Sequence, residues 1–184
     1  MRPLATTLFL VSISLSFSFA QQPENPTGPK VGDPAPDFAL PYATKDTLIF
    51  TPPLKLSELV GKRNIVLAFY PADWSGGCTK EMCTMRDNFS DLAGLSAEIL
   101  PISGDYIFSH REWAKYHNLP FKLLSDHSHE VAKKYNSYND VYGMNRRTVF
   151  VIDKAGKIAY MNLKYDVRTP ADFEKLQDEL KKLN

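Results

Sequence analysis

Cysteine is scarce in this chain. Its 184 residues hold two, Cys78 and Cys83, and no C-x-x-C pair. No C-x2-C partnered by H-x3-H assembles a zinc pattern either, so His110, His117, His127 and His129 are expected at the surface or capping loops rather than holding a metal. Neither sign of charge is in excess: 22 basic stand against 21 acidic side chains, with no basic run. Phosphate binding needs clustered Lys and Arg, so nucleic acid is not an expected partner. The absence of a P-loop and of a dinucleotide fingerprint leaves no organic cofactor to expect.

A long apolar run occurs only at the start. Arg2 is followed by an apolar stretch studded with Ser and Thr, which ends in Ser18-Phe19-Ala20, a small-residue exit that suits signal peptidase. Residues 1–20 therefore read as a secretory signal peptide rather than a spanning helix, and the protein is expected to be exported, periplasmic or secreted, with no stable membrane association after cleavage. Residues 21–30, rich in proline and polar side chains, read as a flexible lead-in. Residues 31–184 have the length of one domain with an adequate core, and the 43% hydrophobic content is that of an ordinary globular protein. In an exported protein two cysteines ordinarily read as a structural disulfide.

The stretch Tyr70 to Cys83 argues for something else. Asn64 to Tyr70 is an apolar run of strand length without polar alternation, as in a strand buried on both faces. Beyond it, Cys78, Met82, Met85, Phe89 and Leu92 follow at spacings that draw one apolar stripe along a helix. Ser75 stands where that helix should begin and can cap free N–H groups, while Gly76 and Gly77 let backbone approach closely. Cys78 then falls in the first turn, where free N–H groups and the positive dipole end favour an anion, and the thiolate is the nucleophilic form of a thiol. Cys83, five residues on, lies about 140° around and about 7.5 Å along an ideal helix, with the Cα atoms roughly 8.6 Å apart. That exceeds the roughly 7 Å reach of a disulfide, so a bridge would require the start of the helix to unwind. Such a pair suits a redox cycle better than a permanent staple.

The pattern of Phe69-Tyr70-Pro71, Ser75, Cys78-Thr79, Glu81 and Cys83 resembles the active-site signature of peroxiredoxins of the bacterioferritin-comigratory, or Q-type, branch. The family usually has Thr at the place of Ser75 and often Pro at that of Gly76. Serine keeps the hydroxyl, whereas Gly76 loosens the turn. Two further segments carry the likeness: Gly32 to Phe38 resembles the family's opening G-x-x-A-P-x-F, and Leu119 to Asp126 its L-P-F-x-L-L-S-D. The resemblance implies a thioredoxin-like α/β sandwich, a central mixed sheet flanked by helices in a single domain, and a monomer. It also implies a thiol peroxidase in which Cys78 attacks a hydroperoxide and Cys83 resolves the sulfenic acid. A thioredoxin-like dithiol would reopen the bridge. Pro71 would shield the pocket, Ser75 would position the peroxide, and Glu81 would support the local network.

A peroxide-cleaving thiol needs a cationic donor, and arginine offers fixed donors at any working pH. Asn145-Arg146-Arg147 to Asp153 resembles the family's R-x-x-F-V-I-D segment, which places the active-site arginine at Arg147. Neighbours in extended chain point opposite ways, so Arg146 should face elsewhere. Trp74 is expected at the pocket rim or a partner surface.

Around these segments, Tyr42 to Pro53 reads as a loop or hairpin, and Ser57 as the cap of a brief helix over residues 58–60. Ala97 to Ser103 reads as a strand whose Pro101 suggests an irregular or edge position. Ser109 with Glu112 has the form of a capping box, His129 to Tyr135 reads as a short helix, and Thr148 to Met161 as a hairpin. Thr169 reads as the cap of a last helix with Phe173, Leu176 and Leu180 buried. Two other functions stay open on these residues: an exported thiol-disulfide oxidoreductase, although such proteins normally use C-x-x-C, and a non-enzymatic module with an inert disulfide.

Overall fold

The computed structural model describes residues 27–184. The expected leader, and residues 21–26 of the lead-in, lie outside the described residues. The remainder of the lead-in is docked rather than loose. Gly28 and Pro29 are buried, Asn136 Nδ2 donates to Thr27 O at 3.4 Å, and a Cβ on Gly28 would come within 2.7 Å of the Asn136 Cβ. The packed domain therefore begins ahead of residue 31.

In chain order the elements are β1 Ala39–Ala43, β2 Leu48–Lys55, a 3-10 turn Leu56–Glu58, β3 Asn64–Phe69, α1 Gly76–Asp87, α2 Phe89–Gly94, β4 Ala97–Ser103 and α3 Ile107–His117. They continue with β5 Leu123–Ser125, α4 Glu130–Lys134, β6 Tyr138–Asn139, β7 Met144–Asn145, β8 Thr148–Ile152, β9 Ile158–Asn162 and α5 Ala171–Lys181. Seven strands form one mixed sheet in the order β2-β1-β5-β4-β3-β8-β9, and β6 with β7 forms a small separate ribbon. This is the mixed sheet between helices of a thioredoxin-like sandwich. The apolar run predicted as a buried strand is β3, buried at every position, parallel to β4 and antiparallel to β8.

Alternation along β3 splits the core into two layers. Ile65, Leu67 and Phe69 pack with Leu100, Phe150 and Tyr135, on the side of α4. Val66, Ala68 and Tyr70 pack with Met82, Met85, Trp113 and Leu176, on the side of α1, α3 and α5. Cys78 belongs to this second layer, so its sulfur rests on the sheet rather than on the surface.

Several expectations are corrected. Pro101 lies in a central strand, between β3 and β5. Ile102 O accepts from Tyr70 N, so Ile102 faces β3 and its neighbour Pro101 faces β5. Since β5 pairs only with Ile102 and Ser103, the missing N–H of Pro101 costs no ladder bond. The apolar stripe from Cys78 to Leu92 spans two helices: α1 ends at Asp87, and Asn88, at φ −107° and ψ 16°, donates to Thr84 O through both its backbone N–H and its Nδ2. Ser57 sits inside the 3-10 turn rather than capping it. Ser109 lies within α3, which starts at Ile107 behind Tyr106, because its hydroxyl is engaged elsewhere. Pro170, not Thr169, occupies the cap of α5, and Asp172 and Glu174 face the dipole of its first turn.

Candidate active site

The chain leaves β3 at Phe69, runs through the buried Tyr70, bends at half-buried Pro71 and enters α1 behind Ser75. Ser75 is the N-cap, in extended conformation at φ −75° and ψ 142°, and its Oγ accepts from Cys78 N at 3.4 Å. The Cys78 N–H is thus engaged by the capping hydroxyl. Cys78 is 0% exposed.

A largely buried polar cluster holds this turn from behind. Asp73 N donates to Asp105 Oδ2 at 2.9 Å, Tyr70 OH to Asp73 Oδ1 at 2.8 Å and Ser109 Oγ to Asp73 Oδ2 at 2.8 Å. His110 Nδ1 lies 2.9 Å from Asp73 Oδ2 and its Nε2 3.2 Å from Leu124 O. His110 is therefore a core residue, not the surface or loop-capping histidine expected. Burial first and Asp73 second push the Tyr70 phenol well above its usual range, so it stays a donor. Nothing local in the sequence points to the Asp73–His110 pairing, since its partners come from β3, α3 and β5. His127 and His129 do serve loops, with Nδ1 atoms 3.0 Å from Gly104 O and 2.8 Å from Asn145 Oδ1.

Arg147 comes from the far side of β3, just before β8. Its segment is fixed because buried Asn145 donates through Nδ2 to Ile102 O at 3.1 Å and Tyr165 N donates to Arg147 O at 3.2 Å. Arg147 Nη2 donates to Cys78 Sγ at 3.4 Å, and Nη1 donates to Glu81 Oε2 in an ion pair. Arg146 is exposed, at the mouth of a cavity. A Cβ on Gly77 would stand 3.1 Å from Arg147 Nη2, so the bare backbone at that position makes room for the guanidinium. Burial pushes Glu81 up to about 7 against the opposing pull of Arg147, and its Oε1 is buried with no hydrogen-bond partner among the described residues. Burial pulls Arg147 down, but Glu81 and Cys78 outweigh it and hold the guanidinium above its ordinary value.

A cavity of about 510 Å³ opens beside Arg147, lined also by Gly77, Tyr165, Val167 and Arg168. A second, of about 220 Å³, borders Glu81 and shares Tyr165, Val167 and Arg168 with the first. Neither is lined by Cys78, while Gly77 and Arg147, beside it, line the first. Trp74, 53% exposed, sits near the opposite flank, its Nε1 donating to Ser109 Oγ at 3.2 Å and its ring 5.8 Å from that of Tyr116. Cys83 is half-buried on α1 and unbridged, its Sγ 4.0 Å from His117 Nδ1. Of the residues singled out in the sequence, Ser75, Cys78, Glu81 and Arg147 thus converge on one point. Pro71 lies between β3 and the Ser75 cap, and Cys83 stands apart with His117.

Comparison with known proteins gives a consistent result. The model of the AhpC/TSA family matches residues 31–161. Chloroplastic peroxiredoxin Q of Triticum aestivum is 41% identical over 109 residues, 59% of this chain and 50% of that protein, so the match spans about half the length of that relative. The putative peroxiredoxin bcp of Coxiella burnetii is 38% identical over 136 residues, 71% of this chain and 85% of that one. Among solved structures, peroxidoxin BcpB from Mycobacterium tuberculosis superposes with a TM-score of 0.73 at 29% identity, over 85% of this chain and 99% of its own.

Proposed function

The chain belongs to the AhpC/TSA family, and on that basis we propose that it is a thiol-dependent peroxidase that reduces hydrogen peroxide and organic hydroperoxides through Cys78. The observation that carries this reading is the 3.4 Å contact between Arg147 Nη2 and the fully buried Cys78 sulfur. A guanidinium there holds the thiolate and meets the negative charge that grows on the departing oxygen. The Cys78 thiolate attacks one peroxide oxygen, the O–O bond breaks, and water or an alcohol leaves once the departing oxygen has gained a proton. Cys78 is left as a sulfenic acid. Ser75 Oγ, which accepts from the Cys78 N–H, orients the peroxide, and Pro71 shields the pocket from water.

Cys83 then condenses with the sulfenic acid. Both cysteines lie in α1, five residues apart, so their Cα atoms are roughly 8.6 Å apart on ideal geometry and the first turns of α1 must unwind before the bridge closes. A thioredoxin-like dithiol reopens it by exchange. With the leader over residues 1–20 removed, this cycle runs outside the cytosol as a monomer, and fractionation with N-terminal sequencing should find a mature chain that begins at Gln21. The catalytic proposal is tested by peroxide consumption with a thiol reductant. Wild type should turn over and Cys78→Ser should not; substantial turnover by Cys78→Ser would remove the mechanism.

A further inference from the structure

We infer that His117 is the base that takes the proton of Cys83 in the step that closes the Cys78–Cys83 bridge. This rests on the peroxidase reading of the two cysteines and adds a residue to it. A sulfenic acid is attacked by a thiolate, and an ordinary thiol is only a few per cent ionised at neutral pH. Arg147 serves Cys78 and lies with it, on the other side of the first turns of α1. Cys83 has a different neighbour: its Sγ lies 4.0 Å from His117 Nδ1, a long contact of the kind that tightens when a catalytic pair acts.

His117 is placed for this task. It is the last residue of α3, which Asn118 ends in the left-handed region at φ +50°. Arg86 Nη1 donates to His117 O at 2.6 Å, which ties the end of α3 to α1 one turn beyond Cys83. The ring packs edge-on against Trp113 at 5.9 Å and Tyr116 at 4.8 Å, with Trp74 at 6.4 Å closing the other side. The titratable and charged groups around it are Cys83 and Arg86 from α1, with Asp87 held by Arg86, and Tyr116 from α3 itself. Partial burial and then Arg86 lower the imidazole from its usual value, so it is a neutral acceptor at neutral pH.

The step balances as follows. The Cys83 thiol proton moves to His117 Nδ1, and the Cys83 thiolate attacks the Cys78 sulfur. The S–S bond forms as the Cys78 S–O bond breaks. Cys83 sulfur is oxidised and Cys78 sulfur reduced. The departing hydroxide leaves as water after taking a proton, and the imidazolium returns its own to solvent.

The test separates this step from the peroxidase reading. In a Cys78→Ser background, alkylation of Cys83 by iodoacetamide is followed against pH, with no peroxide present. His117→Phe, which keeps an aromatic ring in the packing, and His117→Gln are compared with the parent. Both should slow alkylation at pH 7 about tenfold. With Cys78 intact, the same substitutions should lengthen the life of the dimedone-reactive sulfenic acid about tenfold, while the rate at which the first equivalent of peroxide is consumed stays unchanged. Unchanged Cys83 alkylation in both variants, or an unchanged sulfenic acid lifetime, overturns the inference. Absence of any sulfenic acid in every protein would instead overturn the peroxidase reading.

Discussion

The side chains of Asp73 and His110 meet 2.9 Å apart with both fully buried. The other ring nitrogen, His110 Nε2, lies 3.2 Å from Leu124 O, so both nitrogens of the imidazole are engaged. Asp73 therefore gathers Tyr70, Ser109 and His110 around one carboxyl two residues ahead of the helix cap. Asp73→Ala strands these groups in a dry pocket and should cost about 3–5 kcal/mol, as for a broken buried pair. Asp73→Asn can donate through its amide to Nδ1 and should cost much less. Urea unfolding of the two variants checks the difference.

Gly76 is the first residue of α1, and nothing lies within 4 Å of where its Cβ would be. Ser75 before it already has the extended backbone that a following proline requires. Gly76→Pro should therefore stabilise the protein by about 0.5–1 kcal/mol, by restricting the unfolded chain at a position that suits proline. The same stiffening opposes unwinding of α1, so bridge formation should slow. Chemical denaturation and the lifetime of the sulfenic acid measure the two effects.

Glu81 gives a pH dependence of stated sign. Its folded value, about 7, lies above the ordinary 4.5, so the folded state holds a proton that the unfolded chain releases. The stability linked to it is fully present below about 4.5 and is lost as pH rises through about 7. Glu81→Gln removes that titration. The difference in unfolding free energy between wild type and Glu81→Gln should change by on the order of 3 kcal/mol across this window. A difference that is flat with pH would contradict burial as the dominant influence on this carboxyl.

Gly77→Ala should separate chemistry from stability. The new methyl would press on Arg147 Nη2 from 3.1 Å and displace the guanidinium from Cys78. The second-order rate with peroxide should fall about tenfold, equivalent to roughly 1.4 kcal/mol of transition-state stabilisation. Stability should hold or rise by up to about 1 kcal/mol, since alanine favours a helix over glycine. Stopped-flow kinetics beside thermal unfolding reads both.

Much of the strand, turn and helix at the centre was legible because its signals are local. An unbroken apolar run gave β3, and a serine followed by two glycines ahead of an apolar stripe gave the cap and first turn of α1. Arg147 followed from motif and alternation together. The errors fall where a side chain answers to a distant partner. Ser109 has the spacing of a capping box, yet its hydroxyl goes to Asp73, 36 residues away. His110 is polar in a polar stretch, yet three groups outside its helix bury it. Pro101 reads as an edge residue, although a short neighbouring strand lets it sit at the centre. Gly77 was legible as a close approach but not as an approach to Arg147, which only the packed sheet brings there.

The central claim is that Cys78 is oxidised by peroxide and then bridged by Cys83. It is tested most directly by mass spectrometry of the fully reduced protein after one equivalent of hydrogen peroxide, with and without dimedone. Wild type should show an internal Cys78–Cys83 disulfide, and Cys83→Ser should show a dimedone adduct on Cys78. Cysteines that stay reduced in wild type, or a Cys83→Ser protein with no adduct on Cys78, would contradict the account.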